Sequence, residues 1–69
     1  MLTITEISNQ IVSIAADGDG SLVRHRHMRA AVEARTGKRI VGSDYSAALD
    51  NLGNQIIRVR GVRGGVMLA

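Results

Sequence analysis

The side chains best equipped for chemistry in this chain are its arginines. Eight of the nine cationic residues are Arg, and the ninth is Lys38. A guanidinium presents a planar fork of donors that fits a phosphate or the edge of a guanine, where an ammonium offers a point charge. Arg58, Arg60 and Arg63 crowd into the stretch I-I-R-V-R-G-V-R-G-G. Arg26 and Arg29 are one helical turn apart, and Lys38 and Arg39 are adjacent. With a formal net charge of +3, the expected partner class is a polyanion.

The residues for catalysis are missing. There is no cysteine, so neither a thiolate nucleophile nor a thiolate metal site is available. His25 and His27 are the only histidines. Their spacing suits one face of a strand and not of a helix, and no other histidine or cysteine is present, so no metal site is expected. No Ser-His-acid arrangement can be placed. The G-V-R-G-G turn lacks the G-K-[ST] of a phosphate loop and opens no helix. The chain is expected to be no enzyme and to need no cofactor.

The elements that position the arginines must come from one small domain, residues 1–69. Tyr45 is the only aromatic residue, so the core must be built from Ile, Val, Leu, Met and Ala. A small core without disulfides often gains stability from a partner, and a homodimer is expected. The N-terminal M-L-T-I-T-E-I-S has no basic region of the kind that opens a signal peptide. No apolar run approaches membrane-spanning length. A cytoplasmic, nucleoid-type location is expected, with no membrane partner.

Thr3 to Asp17 reads as the first helix. Thr3 and Glu6 form a capping box, Ile4, Ile7, Ile11, Ile14 and Ala15 lie on one face, and the other face is polar without a cation. Gly18 and Gly20 supply the stop and a turn. Ser21 to Arg24 reads as a short strand that pairs with a later hairpin. His25 to Thr36 reads as the second helix, with Met28, Ala31 and Val32 inward, Arg35 on that stripe, and Arg26, Arg29 and Glu33 outward. Arg29 and Glu33 can pair at i,i+4. Tyr45 reads as a core residue with its hydroxyl at the rim.

Gly37 is a good residue to follow the second helix. Ser43 reads as the N-cap of a third helix from Asp44 to Leu52, with Tyr45, Ala48, Leu49 and Leu52 inward. Gln55 to Arg60 then alternates, with Ile57 and Val59 on one face and Arg58 and Arg60 on the other. Gly61 to Gly65 is the turn, and Val66 to Leu68 is the closing strand.

The helical pair H-R-H-M-R-A-A-V-E-A-R-T-G and S-D-Y-S-A-A-L-D-N-L-G, followed by the hairpin I-I-R-V-R-G-V-R-G-G-V-M-L, resembles the winged helix-turn-helix superfamily over nearly the whole chain. The resemblance implies an α+β fold: three helices followed by a C-terminal β-hairpin, the wing. It also implies double-stranded DNA as partner. Carried over position by position, it offers Ser43, Ser46, Ala47, Asp50 and Asn51 to the major groove and Arg58, Arg60 and Arg63 to the minor groove. Arg26, Arg29, Lys38 and Arg39 would hold phosphates. A repressor, excisionase-like or nucleoid-associated role fits that pattern.

Asp44 and Asp50 put negative charge on the third helix, which favours the wing and the preceding turn as the contact surface. The same acidic helix supports a second expectation, a protein-interaction module of the phage-inhibitor or adaptor kind. Arginines on a hairpin also serve as a solvated edge that resists aggregation.

Overall fold

The computed structural model describes residues 2–69. In chain order it contains α1 (Ile4–Asp17), β1 (Val23–Arg24), α2 (His25–Thr36), α3 (Gly42–Leu52), a 3-10 turn (Gly53–Gln55), β2 (Ile56–Val59) and β3 (Gly65–Leu68). The fold is α+β: three helices with a small antiparallel sheet in the order β1-β3-β2. This layout is compatible with a small winged-helix domain.

The helices start and stop for local reasons that the residue types supply. At α1, the Glu6 amide donates to the Thr3 hydroxyl (3.1 Å) and the Thr3 amide donates to Glu6 Oε1 (3.0 Å), so the expected capping box is formed. The Thr3 amide, and after it the Thr3 hydroxyl, favour the carboxylate and hold the Glu6 carboxyl below its ordinary value. After α1, Gly18 stays right-handed, and the left-handed positions are Asp19 and Gly20. The α2 helix ends at Gly37, which is left-handed and donates to Glu33 O as a C-terminal stop requires.

The start of α3 differs from expectation. Its N-cap is Val41, in extended conformation and without a side-chain cap bond, while Ser43 lies inside the first turn. The reason is Ile40, which is buried in the core. Its amide is held by Glu33 Oε2 at 3.0 Å. With residue 40 anchored there, the chain turns helical at once, and the amides of Asp44 and Tyr45 both donate to Val41 O.

One cluster of buried side chains forms the core. The helices contribute Ile7, Ile11, Ile14, Ala15, Met28, Val32, Tyr45, Ala48, Leu49 and Leu52, and the sheet contributes Ile56 and Val66. Ser8 is the one buried polar residue among those described. Its hydroxyl donates to Ile4 O (2.8 Å) and lies 3.3 Å from Ala48 O, so it is satisfied at the α1–α3 seam. Arg35 does not stay on the apolar stripe of α2. It reaches across to Asp17 and Ser13 and ties α2 to the end of α1.

The sheet brings the larger surprise. β3 is central, with Val23 opposite Val66 on one side and Ile56 opposite Leu68 on the other. The inner face of β2 carries Ile56 and Arg58. The alternating apolar pair Ile57 and Val59 lies on the outer face, 47% and 40% exposed. Gly64 and Gly65 also do more than turn the chain. A Cβ on Gly64 would overlap the main chain of Val59 and Arg60, and one on Gly65 would overlap Val23 and Arg24. Gly65 opens β3 and does not belong to the turn. The C-terminus is fastened as well, because the Ala69 amide donates to Gln55 O.

Candidate nucleic-acid interface

The outward face of α2 and the wing form the two walls of an open trough of about 490 Å³. It is lined by His25, Arg26, Arg29, Ala30 and Glu33 on the helix and by Gly61 and Val62 on the wing. The 3.6-residue period puts Arg26, Arg29, Ala30 and Glu33 on one side of α2. The wing is the loop between Val59 and Gly65. Gly61 is left-handed there, and the Gly64 amide closes the loop on Gly61 O at 2.9 Å. Val62 stands at its tip, fully exposed.

His25 links the two walls. Its Nε2 lies 2.8 Å from Val59 O, and its Nδ1 lies 2.9 Å from the Tyr45 hydroxyl. A carbonyl only accepts, so Nε2 carries the proton, and in the neutral ring Nδ1 accepts from Tyr45. The His25 and Tyr45 rings meet edge to face, with centroids 5.8 Å apart. The Arg29 guanidinium sits 5.8 Å from the centre of the Tyr45 ring, within cation–π range. Arg29 therefore leans on Tyr45 and forms no ion pair with Glu33, whose carboxylate is taken by the Ile40 amide. Burial pushes the Tyr45 hydroxyl up to about 12, against the opposing pull of Arg29 and Arg58.

The expected contact residues divide into groups. Arg26 and Arg29 share the trough with the wing that carries Arg60 and Arg63, and all four are exposed. Lys38 and Arg39 are exposed too. They follow the far end of α2, a 12-residue helix about 18 Å long. Lys38 acts weakly on Glu6 at the start of α1, so this pair forms a second basic cluster away from the trough.

The third-helix set is also split. Ser43 and Ser46 are exposed, and Ala47 is half-buried. Asp50 is bound by Arg58 at 2.8 Å, which offsets both charges. The Asn51 amide donates to Ser8 Oγ at 3.2 Å, facing α1.

Among the described residues, ion pairs engage only Arg35 and Arg58. Arg24, Arg26, Arg29, Lys38, Arg39, Arg60 and Arg63 have no carboxylate partner. Arg24 was missed by the sequence reading because it sits in the two-residue strand β1. It is exposed and directly precedes His25. The role of His25 was missed as well. Its spacing from His27 pointed to no metal site and to no other role, and only the fold brings Tyr45 and Val59 to its ring. No group of three or more His, Asp or Glu side chains among the described residues is arranged to hold a metal ion. No helix is long and apolar enough to cross a membrane.

The chain matches no protein-family model, no curated protein and no solved structure.

Proposed function

We propose that this protein is a small DNA-binding domain of winged-helix layout, of the transcriptional-regulator or nucleoid-associated type. It engages duplex DNA through the basic edge formed by α2 and the wing. Arg26 and Arg29 anchor phosphates beside the trough, Lys38 and Arg39 anchor phosphates beyond the far end of α2, and Arg60 and Arg63 reach the minor groove. Ser43, Ser46 and Ala47 of α3 face the major groove in a secondary role.

One observation carries this reading. Arg26 and Arg29 line the trough without a carboxylate partner, and the wing that forms its other wall carries Arg60 and Arg63, also unpaired among the described residues. Of the nearby acidic groups, Asp50 is paired with Arg58, and one oxygen of Glu33 accepts from the Ile40 amide. Arginines beside the tip of a glycine-rich loop, as Arg60 and Arg63 are beside Val62, suit a narrow A·T-rich minor groove, where the potential is most negative.

The test is a fluorescence-anisotropy titration of A·T-rich and G·C-rich duplexes at several salt concentrations, with Arg60→Ala/Arg63→Ala alongside. Binding that weakens steeply with salt and falls in the double variant is expected. Absence of binding at low salt, or full binding by the double variant, overturns the reading.

A second reading, a protein-interaction module, is favoured by a different observation. Ile57 and Val59 leave the outer face of the sheet apolar and open. That reading predicts one stoichiometric protein partner, held in a salt-tolerant way. A homodimer belongs to either reading, and sedimentation alongside the titration measures it.

A further inference from the structure

The wing loop has two stems, Val59 on the way out and Gly64 on the way back. One residue of α2 grips both. The His25 amide donates to Gly64 O at 3.3 Å, and the His25 ring donates from Nε2 to Val59 O at 2.8 Å. The remaining ring nitrogen takes the Tyr45 hydroxyl of α3 at 2.9 Å. His25 is thus the point where both stems of the wing, α2 and α3 meet. Gly64 permits this, because any side chain there would overlap the Val59 carbonyl that His25 binds. The stems also end the β2–β3 ladder, where Val59 faces Gly65. Within the loop itself the closing bond runs from the Gly64 amide to Gly61 O, and Gly61, Val62 and Arg63 are exposed.

We propose that His25 is the positioning residue of the wing. It locks the angle at which Arg60 and Arg63 are presented relative to Arg26 and Arg29, without itself touching the ligand. This rests on the proposed role of the wing in DNA binding. The working contact is the Nε2–H donated to Val59 O. The Val59 carbonyl, which only accepts, fixes the proton on Nε2, and the Tyr45 hydroxyl, which can donate, completes that tautomer at Nδ1. A wing freed from this clamp spends only part of its time in the binding orientation. If that share is about one tenth, affinity falls about tenfold.

The side-chain geometry of the alternatives allows a sharp test. Glutamine can set its amide near the place of Nε2 and restore the donor to Val59 O, whereas alanine cannot. The first measurement uses the free protein. Nitrogen-15 shifts of the His25 ring report the tautomer, and relaxation of the residue 60–64 amides and the Val62 methyls reports wing order. The Nε2–H tautomer is expected in the wild type. Loss of wing order is expected in His25→Ala with the helices unchanged, and recovery of most of that order in His25→Gln.

The second measurement is duplex affinity. His25→Ala should lose about tenfold, His25→Gln should regain most of it, and His25→Ala should cost nothing further in the Arg60→Ala/Arg63→Ala background. The proposal is overturned by an Nδ1–H tautomer, by an equally ordered wing in His25→Ala, or by the same loss in both backgrounds. Should His25→Ala fail to fold, the tautomer and the His25→Gln wing order still decide. If the wild type binds no duplex, the DNA reading fails, while the free-protein measurements judge the clamp by themselves.

Discussion

Tyr45 is the only aromatic residue of the chain, so its ionisation can be followed by phenolate absorbance without interference. Burial raises its pKa from 10.0 to about 12. The folded state holds that proton more tightly than the unfolded chain does. The resulting contribution to stability is complete below pH 10.0 and is lost as pH climbs towards about 12. A spectrophotometric titration should therefore find a late phenolate transition that moves back to about 10 in urea. Tyr45→Phe, which removes the hydroxyl from His25, should cost about 0.5–1.5 kcal/mol in chemical denaturation. Val41 makes a second prediction at this scale. It is an N-cap without a side-chain acceptor and is 60% exposed. Val41→Ser supplies the acceptor and should stabilise the fold by about 1 kcal/mol. In a domain this size that raises the melting temperature by about 4–8 °C.

The elements are held at a few close approaches. Between β1, β3 and the wing, the main chains come so near that residues 64 and 65 can carry no side chain. Gly64→Ala and Gly65→Ala should each destabilise by more than about 2 kcal/mol, since backbone and not a flexible side chain would have to move. Equilibrium unfolding compares them with Gly20→Ala, where nothing lies near the added methyl and only the left-handed backbone resists it. On α3, the ion pair between Asp50 and Arg58 is largely exposed on its acidic side, so Asp50→Asn should change stability by less than about 1 kcal/mol. The same change frees Arg58 and removes a negative charge from α3. Under the DNA reading, the variant binds a duplex more tightly at low salt, and the gain disappears as salt is raised.

At the scale of the whole molecule, charge is sorted by neighbourhood. Asp17 is consumed by Arg35 and Asp50 by Arg58, while the cations of α2, the following turn and the wing stay available on the surface. If Arg26, Arg29, Lys38, Arg39, Arg60 and Arg63 each neutralise a phosphate, log affinity should fall against log salt with a slope of about −5. Removing Arg60 and Arg63 should make that slope shallower by about 2. A slope unchanged by the double variant would exclude the wing from the interface.

Much of the architecture was legible in the chain. Thr3 and Glu6 announced the start of α1, the apolar spacing of Ile7, Ile11 and Ile14 its inner face, and Gly37 the end of α2. These are local signals, carried by residues within one or two turns of each other. The short strand at Val23–Arg24 was legible too, as a stretch that needed a partner. What the chain alone could not convey were outcomes settled by distant neighbours. Ser43 resembled a cap, but burial of Ile40 began the helix earlier. Ile57 and Val59 alternate as an apolar face should, but pairing with β3 turns Ile56 inward and leaves them outside. Asn51 and Asp50 read as a free surface until Ser8 and Arg58 met them. His25 read as one of two histidines without a metal to hold, and only the folding of Val59 and Tyr45 around it gave its ring two partners. Residue types and spacing determined the helices, the hairpin and the surplus of arginine, because those depend on local geometry and composition. The tertiary structure decided which arginines stay unpaired and how the wing is held, because those depend on contacts between residues 8 to 43 positions apart.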